Sequence, residues 1–380
     1  MLDHLPDRIV VKASGSIIKN VKSVIVPHTN GLKGIEVAAA AGALYGDADA
    51  KLEVLSNASR DQIEELPEYV QNTNITVQHI EQGHVFDLEI NVYYEQEHAS
   101  VRIVDTHTNV VQIEKDWKVI FEDKTTSLEH KADHSALIMK QIWDFSQTVD
   151  IEDVKEILDR QIACNMAIAN EGIHNSYGAN IGHVILNMDL DCVKTRAKAY
   201  AAAGSDARMN GCELPVVINS GSGNQGITCC VPVVVYAKEL NSTQEQLYRA
   251  LVLSNLTAIY IKTGIGTLSA FCGAVSAGAG IAYLYDGTYE EIQHTIVNAL
   301  AILSGTICDG AKASCAAKIA SSIDAGIMGY YMYKNKQQFY AGDGIVAHSV
   351  DETIQNIGTL GSQGMLQTND KIIEMMISCD

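Results

Sequence analysis

The amino-acid sequence predicts an α+β domain over residues 1–128 followed by a mostly α-helical domain over residues 129–380. Three observations carry this reading. Before residue 130, short runs of β-branched and aromatic residues alternate with polar breaks, as half-buried strands do. After it, apolar residues recur at helical spacing over long stretches. Only five prolines occur in 380 residues and none follows Pro232, which permits long uninterrupted helices. The length suits about two domains. The boundary is expected in the polar stretch Asp123-Lys124-Thr125-Thr126-Ser127.

Taken in order, strands are expected at residues 8–12, 21–26, 75–80, 85–94, 101–104, 110–113 and 117–121. An Ala-rich helix is expected at 33–45. Another opens near Ser59, where Gln62 completes a capping box, and runs toward Gln71 unless Pro67 kinks or ends it. In the second half, residues 150–170, 193–209, 244–262, 288–303 and 350–361 read as helices, with Ser242 and Thr288 where caps belong. Breaks are expected at Gly204, 221–226, 264–266, 305–310 and 342–344.

The 46 acidic and 27 basic residues leave a net charge of −19. That argues against nucleic acid or an anionic membrane surface as the main partner, since both require a basic footprint. The N-terminus lacks a basic run followed by an apolar stretch, so a cytoplasmic protein is expected. Two long uncharged stretches, 214–237 and 263–285, are broken by polar residues or rich in Gly, Ala and Ser. A spanning helix needs about 20 mostly apolar residues, so both read as buried core and no membrane partner is expected. The nine cysteines are odd in number, which argues against a disulfide framework. A homodimer is allowed.

Several segments could carry chemistry. Residues 221–226 match G-x-G-x-x-G behind an apolar run. A dinucleotide-binding reading lacks a second βαβ unit and a placed acid. Such a loop can equally cradle a carboxylate on its backbone N–H groups, which suits a small amino-acid substrate. In Ile307-Cys308-Asp309-Gly310-Ala311-Lys312-Ala313-Ser314-Cys315, the Asp-Gly pair is a turn signal. Cys308 is therefore expected in a loop and Cys315 on the helix that follows, where the partial positive charge favours thiolate. C-x₆-C is a weak metal pattern, and by spacing alone both thiols read by default as core. Cys272 lies in an Ala/Gly-rich segment and reads as core, although its small neighbours leave room for a cofactor. His107 interrupts a β pattern and is either a surface turn residue or a general acid–base group. Lys312 could be proposed for a pyridoxal-phosphate Schiff base, but no phosphate loop accompanies it.

Ser205-Asp206-Ala207-Arg208-Met209, NSGSGNQGI at 219–227, ICDGAKASC at 307–315, Gly344-Ile345-Val346-Ala347-His348 and Gln367-Thr368-Asn369-Asp370 together resemble the signature stretches of the L-cysteine desulfidase family. That family is related to the α chain of iron–sulfur L-serine dehydratases. The resemblance runs from about Arg8 to Met376. It implies a serine dehydratase α-chain-like catalytic domain and a [4Fe–4S] cluster held by Cys272, Cys308 and Cys315, with one iron open as a Lewis acid. It implies elimination from L-cysteine to sulfide, ammonia and pyruvate. L-serine dehydration, or a catalytically silent cluster-binding or amino-acid-sensing protein, are the alternatives. Ser220, Ser222, Gly223 and Asn224 are expected to bind substrate. Arg208 adds a charge-assisted contact unless it pairs with Asp206. His107 matches the family's Gly-His-Thr-Asn turn, with Thr106 in place of Gly, and is the expected catalytic residue. The family's N-terminal Cys-Thr-Glu-Pro segment has no match here, from which weakened activity is expected. Cys379 reads as a chance terminal cysteine, and Cys164, Cys192, Cys212, Cys229 and Cys230 are expected outside the cluster.

Overall fold

Ile9, Val11 and Ala13 alternate with the more exposed Arg8, Val10 and Lys12 and are almost fully buried, which makes β1 (Arg8–Ser14) a strand with one face on a core. The structure is a computed structural model describing residues 2, 4–81, 83–123, 136–265 and 272–377. The chain forms two units. One comprises residues 1–132 with 310–312 and 370–380, and the other 133–309 with 313–369.

In the first unit, β1 is followed by α1 (Gly15–Val21), α2 (Ile35–Tyr45), a 3₁₀ stretch (Ala48–Glu53) and α3 (Arg60–Asn72). Then come β2 (Asn74–Ile80), β3 (Asp87–Tyr94), β4 (Glu97–Val104), β5 (Val110–Lys115) and β6 (Lys118–Glu122). The sheet order is β2-β1-β3-β4-β5-β6. β1 and β2 run parallel, joined through the helices, and the other neighbours are antiparallel. Ile9, Val11 and Ala13 pack with Ile17, Ile18 and Ile35. Ser59 and Gln62 form the expected capping box, and α3 continues through Pro67 to Asn72. The strand expected at 21–26 is absent. Ile17, Ile18 and Val21 share helical spacing and close α1, and the following turn is pinned by a bridge between Ile25 and Lys33.

The second unit is helical: α4 (Met139–Thr148), α5 (Ile151–His174), α6 (Ile181–Met188), α7 (Val193–Met209), α8 (Gly223–Glu239), α9 (Gln244–Ile265), α10 (Cys272–Leu284), α11 (Tyr289–Leu303), α12 (Ser314–Lys334) and α13 (Val350–Thr359). A π turn (Leu360–Gly364) leads to α14 (Leu366–Ile377), whose residues from Asp370 onward belong to the first unit. A mixed six-stranded sheet with helices followed by a helical body is the fold class the sequence predicts. The boundary stretch beyond Asp123 lies outside the described residues.

Gly204 was expected to break a helix and instead sits inside α7, where a Cβ would lie 3.2 Å from the Ala169 Cα of α5. It is a close-packing residue, as is Gly326 of α12, whose added Cβ would meet the Ala274 carbonyl oxygen of α10 at 2.5 Å. Thr288 caps α11 with Glu291 as expected. The cap of α9 falls on Thr243 rather than Ser242. Thr243 Oγ1 accepts from the Gln246 amide at 3.2 Å, while the Ser242 amide donates to Ala237 O at the end of α8. Among the described residues, no helix is long and apolar enough to cross a membrane.

Candidate active site

The site is built around the start of α8. Asn219 and Ser222 exchange backbone hydrogen bonds of 3.1 and 3.0 Å. Ser220 and Gly221 between them take φ of 48° and 75°, the two-residue turn that requires positive φ at both positions. Ser222 then caps α8, its Oγ accepting from the Gln225 amide at 3.2 Å. The G-x-G-x-x-G match is thus mostly helix rather than loop. A Cβ on Gly226 would lie 2.1 Å from the Val217 carbonyl oxygen, so this glycine seats the helix against the preceding segment. Residues 211–218 contain no strand, which removes the dinucleotide-binding reading.

Uncharged amides brace the turn from behind. The Val217 amide donates to Asn165 Oδ1 of α5 at 2.9 Å, and Asn165 Nδ2 donates to Val217 O at 3.2 Å. Gln225 Nε2 donates to Asn219 Oδ1 at 2.9 Å. Asn219 Nδ2 donates to Asn255 Oδ1 of α9 at 2.9 Å, and Asn255 Nδ2 to Gln161 Oε1 of α5 at 2.8 Å. Gln161, Asn165, Asn219 and Gln225 are all buried, so these bonds stiffen the turn where an unpaired amide would be costly. Gln225 Oε1 is buried and, among the described residues, has no hydrogen-bond partner. Sequence reasoning missed Gln161, Asn165 and Asn255. The available signal was an amide on a helix face otherwise apolar.

Arg208, in the last turn of α7, lies over the start of α8. Its Nη1 donates to Asn224 Oδ1 at 3.3 Å, and a Cβ on Gly223 would sit 2.1 Å from its Nε. Desolvation lowers the guanidinium pKa, opposed by the charge of Cys315. Arginine nevertheless stays cationic. A cation at the positive end of a helix is electrostatically unfavourable until an anion joins it. The amides of Gly223 and Asn224, the first two helical residues, have no intrahelical acceptor and add donors at the same place. Asp206 does not pair with Arg208. Its Oδ2 accepts from the Ile181 amide at the start of α6 at 2.7 Å. Burial raises its pKa to about 6, against the pull of the Ile181 and Ala179 amides.

The three expected ligand cysteines lie on different elements. Gly273, beside Cys272 at the start of α10, is so close to α8 that its Cβ would lie 2.9 Å from Gln225 O. Cys272 itself is fully buried, in an apolar cluster with Val275 and Ala279. Cys315 is buried in the first turn of α12 and interacts electrostatically with Arg208. Cys308 is partly buried in the loop before α12. Lys318 of α12 anchors that loop, donating to Ile307 O at 3.0 Å and pairing with Asp309. Thiols at helix starts beside a cation suit a thiolate-bound group in kind. Among the described residues, no three His, Cys, Asp or Glu side chains are grouped to hold a metal. Burial pushes Cys229 up to about 12 and Cys230 well above the usual thiol range, which keeps both as neutral thiols. Cys379 lies outside the described residues.

His107 belongs to the first unit, at the tip of the β4–β5 hairpin. Its ring tilts against Phe86 with centroids 4.8 Å apart. Partial burial lowers its pKa, so it is a neutral imidazole at pH 7.

The family described as serine dehydratase alpha chain matches residues 49–374. An UPF0597 protein of Desulfitobacterium hafniense strain Y51 is 52% identical over 384 residues, covering 100% of this chain and 89% of its own length. An UPF0597 protein of Lachnoclostridium phytofermentans is 46% identical over 383 residues, covering 100% and 92%. One of Finegoldia magna is 46% identical over 383 residues, covering 99% and 92%.

Proposed function

Because this chain belongs to the serine dehydratase alpha chain family, we propose that it is a lyase that removes the β-substituent of a small L-amino acid. L-cysteine is the substrate, and sulfide, ammonia and pyruvate are the products. The observation that carries this reading is the guanidinium of Arg208 laid over the start of α8, where helix dipole, free-ended amides and cation all call for one carboxylate. Arg208 and the amides of Gly223 and Asn224 receive that carboxylate. Ser222 holds the helix start in shape, and Ser220 stands exposed on the turn beside it. Gln225 Oε1 accepts a hydrogen bond from the substrate ammonium.

A general base accepts the Cα proton. The C–H pair becomes the Cα=Cβ bond as the β-carbon–sulfur bond breaks, its electrons leaving with sulfur. The aminoacrylate so formed tautomerises to an imine, which water hydrolyses to pyruvate and ammonia. A [4Fe–4S] cluster held by Cys272, Cys308 and Cys315 would, when bound, supply an open iron as Lewis acid toward the leaving group. The substrate is a freely diffusing cytoplasmic metabolite in this reading.

The description of the matched family favours a second substrate, L-serine, with hydroxide leaving in place of sulfide. Assaying anaerobically reconstituted protein with both amino acids separates the readings. The proposal expects the higher kcat/KM for L-cysteine, with sulfide and pyruvate formed in equal amounts. A higher kcat/KM for L-serine makes the chain a serine dehydratase, and no pyruvate from either rejects both.

A further inference from the structure

Four side-chain amides of the helical unit form one directed run, from Gln225 through Asn219 and Asn255 to Gln161. The first three each give one hydrogen to a main-chain carbonyl of α9 and the other to the next amide's oxygen. Gln225 Nε2 donates to Ala258 O at 3.5 Å and to Asn219 Oδ1 at 2.9 Å. Asn219 Nδ2 donates to Asn255 O at 3.2 Å and to Asn255 Oδ1 at 2.9 Å. Asn255 Nδ2 donates to Leu251 O at 2.9 Å and to Gln161 Oε1 at 2.8 Å. Gln161 closes the run, its Nε2 donating back to Asn255 Oδ1 at 2.9 Å. A carbonyl can only accept, so the three α9 carbonyls fix which end of each amide is nitrogen and which is oxygen. Both hydrogens of the Gln225 amide are thereby engaged, and its Oε1 is left as an acceptor. That oxygen is buried and, among the described residues, has no hydrogen-bond partner, which is costly until a donor arrives. Side chains on a helix lean toward its N-terminus, which sets the Gln225 amide at the end of α8 that Arg208 lies over.

We propose that Asn219, oriented by Asn255, is a positioning residue that presents Gln225 Oε1 as a fixed acceptor, and that this makes the site selective for an α-ammonium over an α-carbonyl. The inference rests on the proposed seat of the substrate carboxylate at Arg208. An α-ammonium beside that carboxylate brings N–H donors to the oxygen, and the bond is charge-assisted. Pyruvate, the product of the proposed reaction, brings a carbonyl oxygen to the same place, and acceptor meets acceptor. A mismatch that leaves a buried polar group unpaired discriminates more strongly than a difference in size. Substrate is therefore held where product is not. A Gln225 amide free to turn would erase the difference, because its nitrogen could then donate to the carbonyl.

The test is calorimetric binding of L-alanine and of pyruvate to the anaerobically reconstituted full chain. The two probes differ at the α-position and carry no leaving group. Wild type is expected to bind L-alanine at least about tenfold more tightly than pyruvate. Gln225→Met removes the acceptor and should weaken L-alanine about tenfold while leaving pyruvate nearly unchanged. Asn219→Leu releases the Gln225 amide and should lower the preference by about tenfold. Asn219→Asp keeps an acceptor for Gln225 Nε2 and should retain the preference. Arg208→Ala should weaken both probes alike. Circular dichroism checks that each variant is folded, and a ratio of two ligands on one protein is insensitive to an inactive fraction. A wild type without preference for L-alanine, or a preference indifferent to both Gln225→Met and Asn219→Leu, overturns the proposal and leaves the carboxylate seat standing. A wild type that binds neither probe overturns both.

Discussion

Arg208 and Asp206 are two residues apart on α7 and do opposite work. Arg208 carries its charge to the start of α8, where the proposed substrate carboxylate would sit. Replacing it with Ala should lower kcat/KM by about 10- to 100-fold, mostly through KM, since a charge-assisted contact to a carboxylate is worth a few kcal/mol. Lys keeps the charge but not the planar fork and should recover part of the loss. An unchanged KM in Arg208→Ala would place the carboxylate elsewhere.

Asp206 is a buried acid whose pKa is raised from 3.8 to about 6. A raised folded pKa means the fold prefers the protonated form. Its contribution is complete below about pH 4 and is lost as pH rises through about 6. Asp206→Asn keeps an acceptor for the Ile181 amide without the charge. The variant should therefore be more stable than wild type at pH 8, by at most about 3 kcal/mol, with the gap closing below about pH 4. Urea midpoints across that range read the effect. A variant less stable at every pH would show that the charge itself is needed.

At the scale of elements, close glycine contacts set the helical body. Gly326→Ala would drive a Cβ to 2.5 Å from the Ala274 carbonyl oxygen of α10. Backbone cannot swing aside, so the substitution should cost about 1–3 kcal/mol by overpacking, measured as a drop in thermal midpoint. Gly223→Ala differs in kind, because the atom it meets belongs to the flexible side chain of Arg208. It should change stability little and raise KM as the guanidinium is displaced. Comparable loss of stability in both variants would argue against that distinction.

Most strands and helices were legible because their apolar residues repeat at one period over several turns or pleats, as in β1, α5 and α11. Residues 21–26 misled because four closely spaced apolar residues fit a strand as well as the end of α1. Gly204 misled because glycine marks a break and a close helix contact alike, and packing partners decide which. The position of Arg208 could be anticipated from its motif. The amide brace of Gln161, Asn165, Asn219 and Asn255 could not, since it joins residues from α5, α8's approach and α9 that sequence spacing does not relate.

At the scale of the whole molecule, the cysteines test the proposed cofactor independently of turnover. After anaerobic reconstitution, Cys272→Ser, Cys308→Ser and Cys315→Ser should each lose bound iron, while Cys229→Ser should not. Cys229 is held as a neutral thiol by burial, and the thiolate is the ligand form. Iron content unchanged in all four variants would remove the three-cysteine assignment without touching the carboxylate site.

As proposed, this chain is a small-amino-acid lyase whose substrate is anchored where Arg208 meets the start of α8. The measurement that tests it most directly is pyruvate formation from L-cysteine by anaerobically reconstituted wild type and Arg208→Ala, each taken to full kinetic saturation. The account predicts pyruvate from wild type, with sulfide and ammonia in equal amounts, and a variant whose KM rises about 10- to 100-fold while kcat changes less. Wild-type protein that holds iron yet forms no pyruvate from L-cysteine or L-serine, or a variant kinetically identical to an active wild type, would contradict it.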